Sequence, residues 1–390
     1  MRGYIREYRE GKFSYTVDVG KVNGKRKKIE RGGFPTKAEA ERALSIKLAE
    51  LATTGEIFIP TEKTVEEVYN DFMLAATITR RPSTMRKHSN IFRNHIMPAI
   101  GHRFIKTIKV GDIDNFLASK MAKGYAVNYV KSMNRTLFAI FDHAYKRGEI
   151  KENVMKNSVM IKEPKTKVEI FTNDEITTIL ETLKGTTSSC IITVIIGLYT
   201  GMRKSEVLGL RWSDISFSKN TITINKQLVY EKGGYVIDVP KTENSTRVIK
   251  MSAHLREYLL ELKKQQEKNK ELAGEFWQDN LIYNRTNNKK ELVTDCVNVT
   301  QTGHALNGES VKYVTKLLKP HGIDFKFHKL RHTHATQLLE NGATIKMVQE
   351  RLGHASPQVT LETYSHVTPA YELNIIDTIP AYLSAQSVRQ

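Results

Sequence analysis

Four residues in the C-terminal part of the sequence carry side chains that can bind and attack a phosphate group. His328 and Arg331 are three positions apart and share one face of a predicted helix, while His354 follows a second predicted helix and Tyr364 lies on a third. A guanidinium group matches two phosphate oxygens, and an imidazole can donate to the same oxygens or accept a phenolic proton. Tyrosine is only about 0.1% ionised at neutral pH and needs such neighbours to act as a nucleophile. The set predicts attack of a tyrosine on a phosphodiester, through a covalent phosphotyrosyl intermediate that requires neither ATP nor a metal.

A zinc site is the competing interpretation of the histidines. His328 and His332 have the i, i+4 spacing that zinc ligands often have. The residues between them, however, include Lys329 and Arg331 and no glutamate, and neighbouring cations oppose binding of a dication. We therefore expect no metal and no other cofactor.

Short helices must position these residues. The first predicted helix ends at Asn341-Gly342, which supplies a left-handed stop, and the second is closed by Gly353, so that His354 sits just past its end. Ser356-Pro357 is typical of the N-cap and first position of the third helix. The apolar spacing that predicts the first two helices is carried by Leu330, Ala335, Leu338 and Leu339, and by Ile345, Val348 and Leu352.

The motifs H-x-x-R, L-G-H and T-Y-S-H at this spacing resemble the C-terminal signature of the tyrosine recombinase (phage integrase) family. Upstream, T-G-M-R-K-S-E-V-L-G-L-R-W resembles the family's arginine box, with Arg203 as the matching arginine and Glu206 one turn later. The stretch V-P-K-T-E-N-S-T-R-V-I has Lys241 where the family has a catalytic lysine in a β-hairpin turn, and its position in the turn favours it over Lys226 and Lys250. The six matching positions are Arg203, Lys241, His328, Arg331, His354 and Tyr364.

The resemblance implies a site-specific recombinase, the integrase of a temperate phage or of an integrative or conjugative element. Arg203 and Arg331 would clamp the scissile phosphate, and His328 and His354 would complete the pocket. Tyr364 would attack to give a 3′-phosphotyrosine, and Lys241 would protonate the leaving 5′ oxygen. Glu206 would orient the arginine or the pocket.

Composition agrees with a nucleic-acid partner. The chain has 390 residues, with 60 Lys plus Arg against 42 Asp plus Glu, and a formal net charge of +18 that favours a polyanion. Two free cysteines and no secretion signal predict a cytoplasmic protein. The resemblance implies a bacterial host and association with its nucleoid. The longest apolar run, Cys190 to Leu198, is too short to cross a bilayer and predicts a buried helix.

Residues 1–52 are predicted to form a small module of three strands and a helix. Phe13, Tyr15 and Val17 alternate, Asn23-Gly24 is a hairpin signal, and Thr36 can cap the helix. A solvated charged hairpin is the alternative, but G-F-P-T-K-A-E-A resembles the sheet-to-helix junction of the family's arm-type DNA-binding domain. The basic residues that open the third strand are Lys25, Arg26, Lys27 and Lys28.

The rest of the chain divides into a linker at 53–63, a helical domain at 64–150, a second linker at 151–167 and a catalytic domain with a C-terminal tail at 168–390. The helical domain starts at the Thr64 and Glu67 capping box and resembles the family's core-binding domain. Its expected DNA contacts are Arg80, Arg81, Arg86 and Lys87. The predicted fold is multidomain and mainly α with small β-sheets, the catalytic domain being mixed α+β.

As partners, the resemblance implies double-stranded DNA with core and arm attachment sites and a homotetramer in the synaptic complex. It also implies help from an excisionase and a host DNA-bending protein, and no membrane. The tail after His366 would pack on its own domain or dock on a neighbouring protomer. The alternatives are a type IB topoisomerase-like enzyme, a dimer-resolving tyrosine recombinase, or a non-catalytic sequence-specific DNA-binding protein. The arm-type module argues against the first two, and the complete set of six residues argues against the last.

Overall fold

A computed structural model of the protein describes residues 2–22, 25–54, 60–158, 168–186, 189–231, 233–239, 246–354 and 356. The chain forms two compact units, Met1–Lys165 and Thr166–Gln390. Lys241, Tyr364, the Asn23-Gly24 pair and the predicted third helix with the tail lie outside the described residues, as do the side chains of Lys25, Arg26 and Lys27.

The first unit begins with the three strands and the helix that the sequence predicts. The antiparallel sheet has the order β1-β2-β3, and Thr36 Oγ1 caps the helix by accepting from Glu39 N at 3.3 Å. Tyr15 and Val17 on the central strand are buried against the helix. The elements are β1 Arg2–Arg9, β2 Lys12–Val22, β3 Lys25–Phe34 and α1 Lys37–Thr54.

A helical bundle follows in the same unit. Thr64 and Glu67 form the predicted capping box at the start of its first helix. Pro82-Ser83-Thr84 is a typical helix start and predicts a helix through His95. The α-helix instead changes to a π-helix after Ile91, and Pro98 lies inside that segment, where it has no N–H to give to an α-helical ladder. The elements are α2 Val65–Thr79, α3 Pro82–Ile91, the π-helix Phe92–Gly101, α4 Val110–Ala122 and α5 Val127–Lys146, with 3-10 turns at Ile105–Thr107 and Val154–Asn157.

Burial in this bundle follows the helical period. The apolar residues of α5 predict a core that includes Phe138 and Phe141. Leu137 and Phe141 are fully buried, whereas Phe138 is 41% exposed. Phe138 is one residue away from the buried stripe, and this rotates it to the outer face of the helix.

The second unit is mixed α+β. Its elements are α6 Asn173–Lys184, α7 Cys190–Thr200, α8 Lys204–Leu208, β4 Ile215–Ser216, β5 Thr221–Ile224, β6 Gln227–Glu231, β7 Gly234–Asp238, β8 Arg247–Lys250, α9 Ala253–Ala273, β9 Asn280–Asn284, β10 Lys289–Val293, α10 Gly308–Leu318, α11 Phe327–Glu340 and α12 Ile345–Leu352. Short 3-10 turns lie at Trp212–Asp214, Gly274–Phe276 and Lys319–His321. The described strands form one sheet of order β4-β5-β8 and another of order β10-β9-β7-β6.

Helix α7 is the buried helix that the apolar run predicts. Gly197 allows α11 to approach α7 closely, because a Cβ at this glycine would lie 2.6 Å from Cζ of Phe327. This close packing brings the N-terminal half of α11 to the C-terminal end of α7. No helix in the described part of the chain is long and apolar enough to span a bilayer.

Candidate active site

Helix α11 presents three polar side chains at its N-terminal end. His328 and Arg331 are one turn apart, as the sequence predicts, and His332 lies next to them. The rings of His328 and His332 meet edge to face with their centroids 4.6 Å apart. A cation and two imidazoles therefore occupy adjacent positions.

Arg331 is the inner of the two predicted arginines, with only 2% of its surface exposed. Its Nη1 donates to the carbonyl of Gly201 at 2.8 Å, and its Nη2 donates to the carbonyl of Leu352 at 2.7 Å. Gly201 ends α7 with a φ of +66°, and a Cβ there would lie 2.6 Å from Leu352 Cδ2 and 2.8 Å from His334 Cδ2. Only glycine suits a residue that must be left-handed and closely packed at once.

Arg203 is the N-cap residue of the short helix α8, two positions after Gly201. Its backbone N–H donates to Glu206 Oε2 at 2.9 Å, and its Nη1 donates to Glu206 Oε1 at 2.8 Å. Its Nη2 reaches the carbonyl of Gly353 at 3.2 Å. The side chain remains 37% exposed, so Arg203 is the outer arginine of the pair.

Glu206 is almost completely buried, with 2% of its side chain exposed, between two arginines. In addition to Arg203 it accepts a hydrogen bond from Nη2 of Arg247 at 2.9 Å. Burial alone would raise the pKa of Glu206, but the charge and hydrogen bonds of Arg247, followed by those of Arg203, bring it below its ordinary value. The carboxylate is therefore ionised at neutral pH.

The last turn of α12 accepts from three different arginines at three consecutive carbonyls. Arg247 Nε donates to the carbonyl of Arg351 at 2.7 Å, Arg331 to that of Leu352, and Arg203 to that of Gly353. The last carbonyls of a helix have no partner within it and carry the negative end of its dipole, which favours cations there. The C-terminus of α12 thus collects arginines from α11, α8 and β8.

His354 follows this turn, just past the end of α12 as predicted. Burial, with the charges of Arg331 and Arg203 next, lowers its pKa to about 4. Burial also lowers the pKa of His332 to about 4, with His328 and Arg331 contributing. Burial, followed by the charges of Arg331 and Arg203, lowers the pKa of His328. All three imidazoles are therefore neutral near pH 7, where each has one N–H to donate and one nitrogen that can accept a proton.

The structure thus brings four of the six predicted catalytic residues together, namely Arg203, His328, Arg331 and His354. The other two, Lys241 and Tyr364, lie outside the described residues. Of the rival lysines, Lys226 forms an ion pair with Asp214. The cluster can hold an anion between two guanidinium groups and neutral imidazole donors, which is what transfer of a phosphodiester requires.

Sequence reasoning missed two buried groups next to this cluster. One is Arg247, which shares the inward face of β8 with buried Ile249; an arginine at an inward strand position signals a buried partner. The other is His334, whose Nε2 accepts from Arg351 Nε at 2.9 Å. Burial and the Arg351 charge lower the pKa of His334 to about 3.

The predicted DNA-contacting residues of the first unit differ in their exposure to solvent. Lys28, Arg80, Arg86 and Lys87 are exposed, and Arg81 is half-buried. Arg80 lies 3.0 Å from His88 Nε2 through its Nη1, and its guanidinium lies 5.1 Å from the centroid of the Phe72 ring.

Three family models match the chain. The phage integrase family matches residues 169–370, the N-terminal SAM-like domain of phage integrases matches 64–121, and the arm DNA-binding domain matches 5–51. A XerC-like tyrosine recombinase of Caldanaerobacter subterraneus subsp. tengcongensis is 28% identical over 320 residues, covering 77% of this chain and 78% of the relative. The ICEBs1 integrase of Bacillus subtilis is 24% identical over 313 residues, covering 79% and 80%.

Solved structures show the same fold. The Tn1549 transposon integrase in complex with transposon right end DNA superposes with a TM-score of 0.68 at 20% identity, over 81% of this chain and 99% of that one. A lambda integrase tetramer bound to a Holliday junction gives a TM-score of 0.56 at 18% identity, over 93% of this chain and 94% of that one.

Proposed function

The chain belongs to the phage integrase family of tyrosine recombinases, and we propose that it cuts and rejoins DNA with Tyr364 as its nucleophile and the α8, α11 and α12 cluster as its phosphate pocket. It is a site-specific DNA recombinase that integrates and excises a mobile element. The observation that supports the residue assignment is the convergence of Arg203, Arg331 and His354 at the last turn of α12.

In the proposed reaction the Tyr364 hydroxyl oxygen attacks the phosphorus, and the bond from phosphorus to the 5′ oxygen breaks. The phenolic proton passes to neutral His328, and Lys241 gives a proton to the departing 5′ oxygen. The products are a 3′-phosphotyrosine and a free 5′ hydroxyl. Because the new ester keeps the energy of the broken one, a 5′ hydroxyl from another strand reverses the step without ATP.

The two arginines have different tasks in this proposal because their exposure differs. Arg203 keeps an accessible edge and contacts the phosphate oxygens directly. Arg331 is buried, where charges are poorly screened, and stabilises the negative charge of the transition state from within the protein. Glu206 holds Arg203, and His354 completes the pocket as a neutral donor.

We further propose an assembly of four copies on two DNA duplexes, since the similar lambda integrase forms a tetramer on a Holliday junction. An excisionase and a host DNA-bending protein would set direction, and the reaction would take place on the nucleoid of the host. Contacts to the DNA backbone would come from Lys25, Arg26, Lys27, Lys28, Arg80, Arg81, Arg86 and Lys87.

A covalent-capture assay tests the reaction. The full chain is mixed, in chelator, with nicked DNA that carries the end sequences of its own element, and adducts that resist denaturation are resolved on a gel. We expect an adduct with the wild type and with Tyr371→Phe, the matched tyrosine control, and none with Tyr364→Phe. An adduct that survives Tyr364→Phe, or cleavage that needs a divalent metal, would contradict the proposal.

A further inference from the structure

Arg247 is a buried arginine next to the pocket. Its side chain is 6% exposed, and it donates to Glu206 through Nη2 and to the carbonyl of Arg351 through Nε. It thereby connects β8, on which it lies, with α8 and α12. An arginine is costly to bury for stability alone, because an ion pair replaced by apolar side chains of similar volume is often no less stable. Its burial here therefore points to a requirement for a fixed geometry.

The contacts of Arg247 define which geometry it controls. Glu206 Oε2 receives Arg247, while Oε1 of the same carboxylate receives Nη1 of Arg203. The Arg351 carbonyl that receives Arg247 immediately precedes the Leu352 and Gly353 carbonyls, which receive the two arginines of the pocket. Arg247 therefore restrains both anchors of Arg203 and one anchor of Arg331, because it bonds to Glu206 and to the turn of α12 that supplies the carbonyls.

We propose that Arg247 is a positioning residue for strand cleavage, which holds the two phosphate-binding arginines in place by joining Glu206 to the last turn of α12. The inference rests on the function proposed above for Arg203 and Arg331. Arg247 acts through these residues rather than on the substrate. A planar fork with fixed donor directions serves this task, whereas a lysine would supply the charge with only one of the two bonds.

The test compares Arg247→Met and Arg247→Lys with the wild type in single-turnover adduct formation on the nicked DNA. We expect Arg247→Met to lower the rate constant about 100-fold, since a small misplacement of a catalytic group can cost that much. The Kd for the same DNA should change less than about threefold, because phosphate contacts across the whole site dominate affinity. The rate constant of Arg247→Lys should lie between those of the wild type and Arg247→Met, because lysine preserves the charge that faces Glu206.

A double-variant cycle separates positioning from loss of fold. In a Glu206→Gln background, Arg247→Met should cost less than about tenfold, since the shared route to Arg203 is already broken. Arg351→Met is the matched control, because this half-buried arginine bonds through its side chain to His334 and to the carbonyls of Lys250 and Tyr199, not to Glu206. Its effect on rate should be the same in both backgrounds.

The outcomes distinguish the inference from its premise. If the wild type forms a Tyr364-dependent adduct and Arg247→Met forms it at the wild-type rate, the inference is wrong and the proposed function stands. Independent, multiplying effects of Arg247→Met and Glu206→Gln would reduce Arg247 to a stability residue and overturn the inference too. If the wild type forms no Tyr364-dependent adduct, the proposed function fails, and the role of Arg247 fails with it.

Discussion

Each of the two units contains a triad of charged side chains in which one charge lies between two of the opposite sign. The two triads differ in the sign of the central charge and in their exposure to solvent. In the first unit, Lys63 Nζ lies 2.7 Å from Asp71 Oδ2 and 2.6 Å from Glu149 Oε1, and 39% of the lysine side chain is exposed. In the second unit, Glu206 lies between Arg203 and Arg247 and is 2% exposed. One is a cation between two anions near water, and the other is an anion between two cations inside the protein.

Exposure to solvent determines what each triad can do. Water screens the Lys63 triad, so it fastens the chain before α2 to the end of the bundle without strict geometry. Glu206 and Arg247 have lost their water, while Arg203 keeps an exposed edge, so the buried pair must remain in place to compensate each other's charge, and this fixes directions as well as distances. In the proposed function, the buried triad therefore lies where positions matter to the chemistry, and the exposed triad acts as a tether.

The largest effect is expected from Glu206→Ala. It would leave the 6% exposed guanidinium of Arg247 without its carboxylate and should lower the free energy of unfolding of the second unit by about 3–5 kcal/mol. Both tryptophans, Trp212 and Trp277, belong to this unit, so their fluorescence during urea unfolding reports on it alone. A loss below about 1 kcal/mol would mean that the buried triad is no more demanding than an exposed one.

Acid should destabilise the second unit next, through the buried histidines around the second triad. His334 has a folded pKa of about 3, well below the ordinary value, so between these values the unfolded chain binds a proton that the folded one does not. The stability that it contributes is present above about pH 6.5 and is lost as the pH falls.

By pH 5.5 the loss from His334 should be on the order of 1 kcal/mol. His332 and His354, whose folded pKa values are about 4, act in the same direction. Urea unfolding followed by tryptophan fluorescence at pH 7.5, 6.5 and 5.5 measures the slope, and His334→Phe should reduce it. A slope that His334→Phe leaves unchanged would assign the acid sensitivity to other groups.

The smallest effect is expected from Lys63→Met in the exposed triad. Screened pairs of this kind contribute about 0–1 kcal/mol, so unfolding of the first unit, followed by far-UV circular dichroism, should change by no more than that. Molar salt should reduce the difference between variant and wild type further. A change above about 2 kcal/mol would show that the tether is structurally as important as the buried triad.

Local signals in the sequence were enough to predict most of the fold. The Thr64 and Thr172 capping boxes, the buried run of α7, and the left-handed Gly201 and Gly353 are all encoded within a few neighbouring residues. The strands on either side of Lys241, β7 and β8, also form, but their described residues pair in different sheets rather than with each other as the expected hairpin requires. The β9 and β10 hairpin was missed, because it lies within and just after a polar stretch, 263–290, to which we assigned no function. Its position depends on parallel pairing of β9 with β7, a contact that no local pattern announces.

The residues of the candidate site were predictable from the sequence, but the contacts that hold them in place were not. Residue types and spacing pointed to Arg203, His328, Arg331 and His354, and the structure brings these four together. The partners of the arginines are backbone carbonyls, whose positions depend on tertiary packing rather than on residue type. The same holds for Arg247: the local pattern predicts only a strand residue, because its contacts with Glu206 and α12 form in the tertiary structure.

The carbonyl partners at the end of α12 also set the order in which a newly made molecule becomes competent. Arg203 and its Gly353 partner are 150 residues apart, Arg331 and Gly201 are 130 apart, and Arg247 and Arg351 are 104 apart. At a synthesis rate of roughly 5–20 residues per second, Arg203 leaves the ribosome on the order of ten seconds before α12 exists. A nascent chain can therefore contact DNA through its basic residues before it has an assembled pocket, and the capacity to cut a strand appears only after α12 has been made.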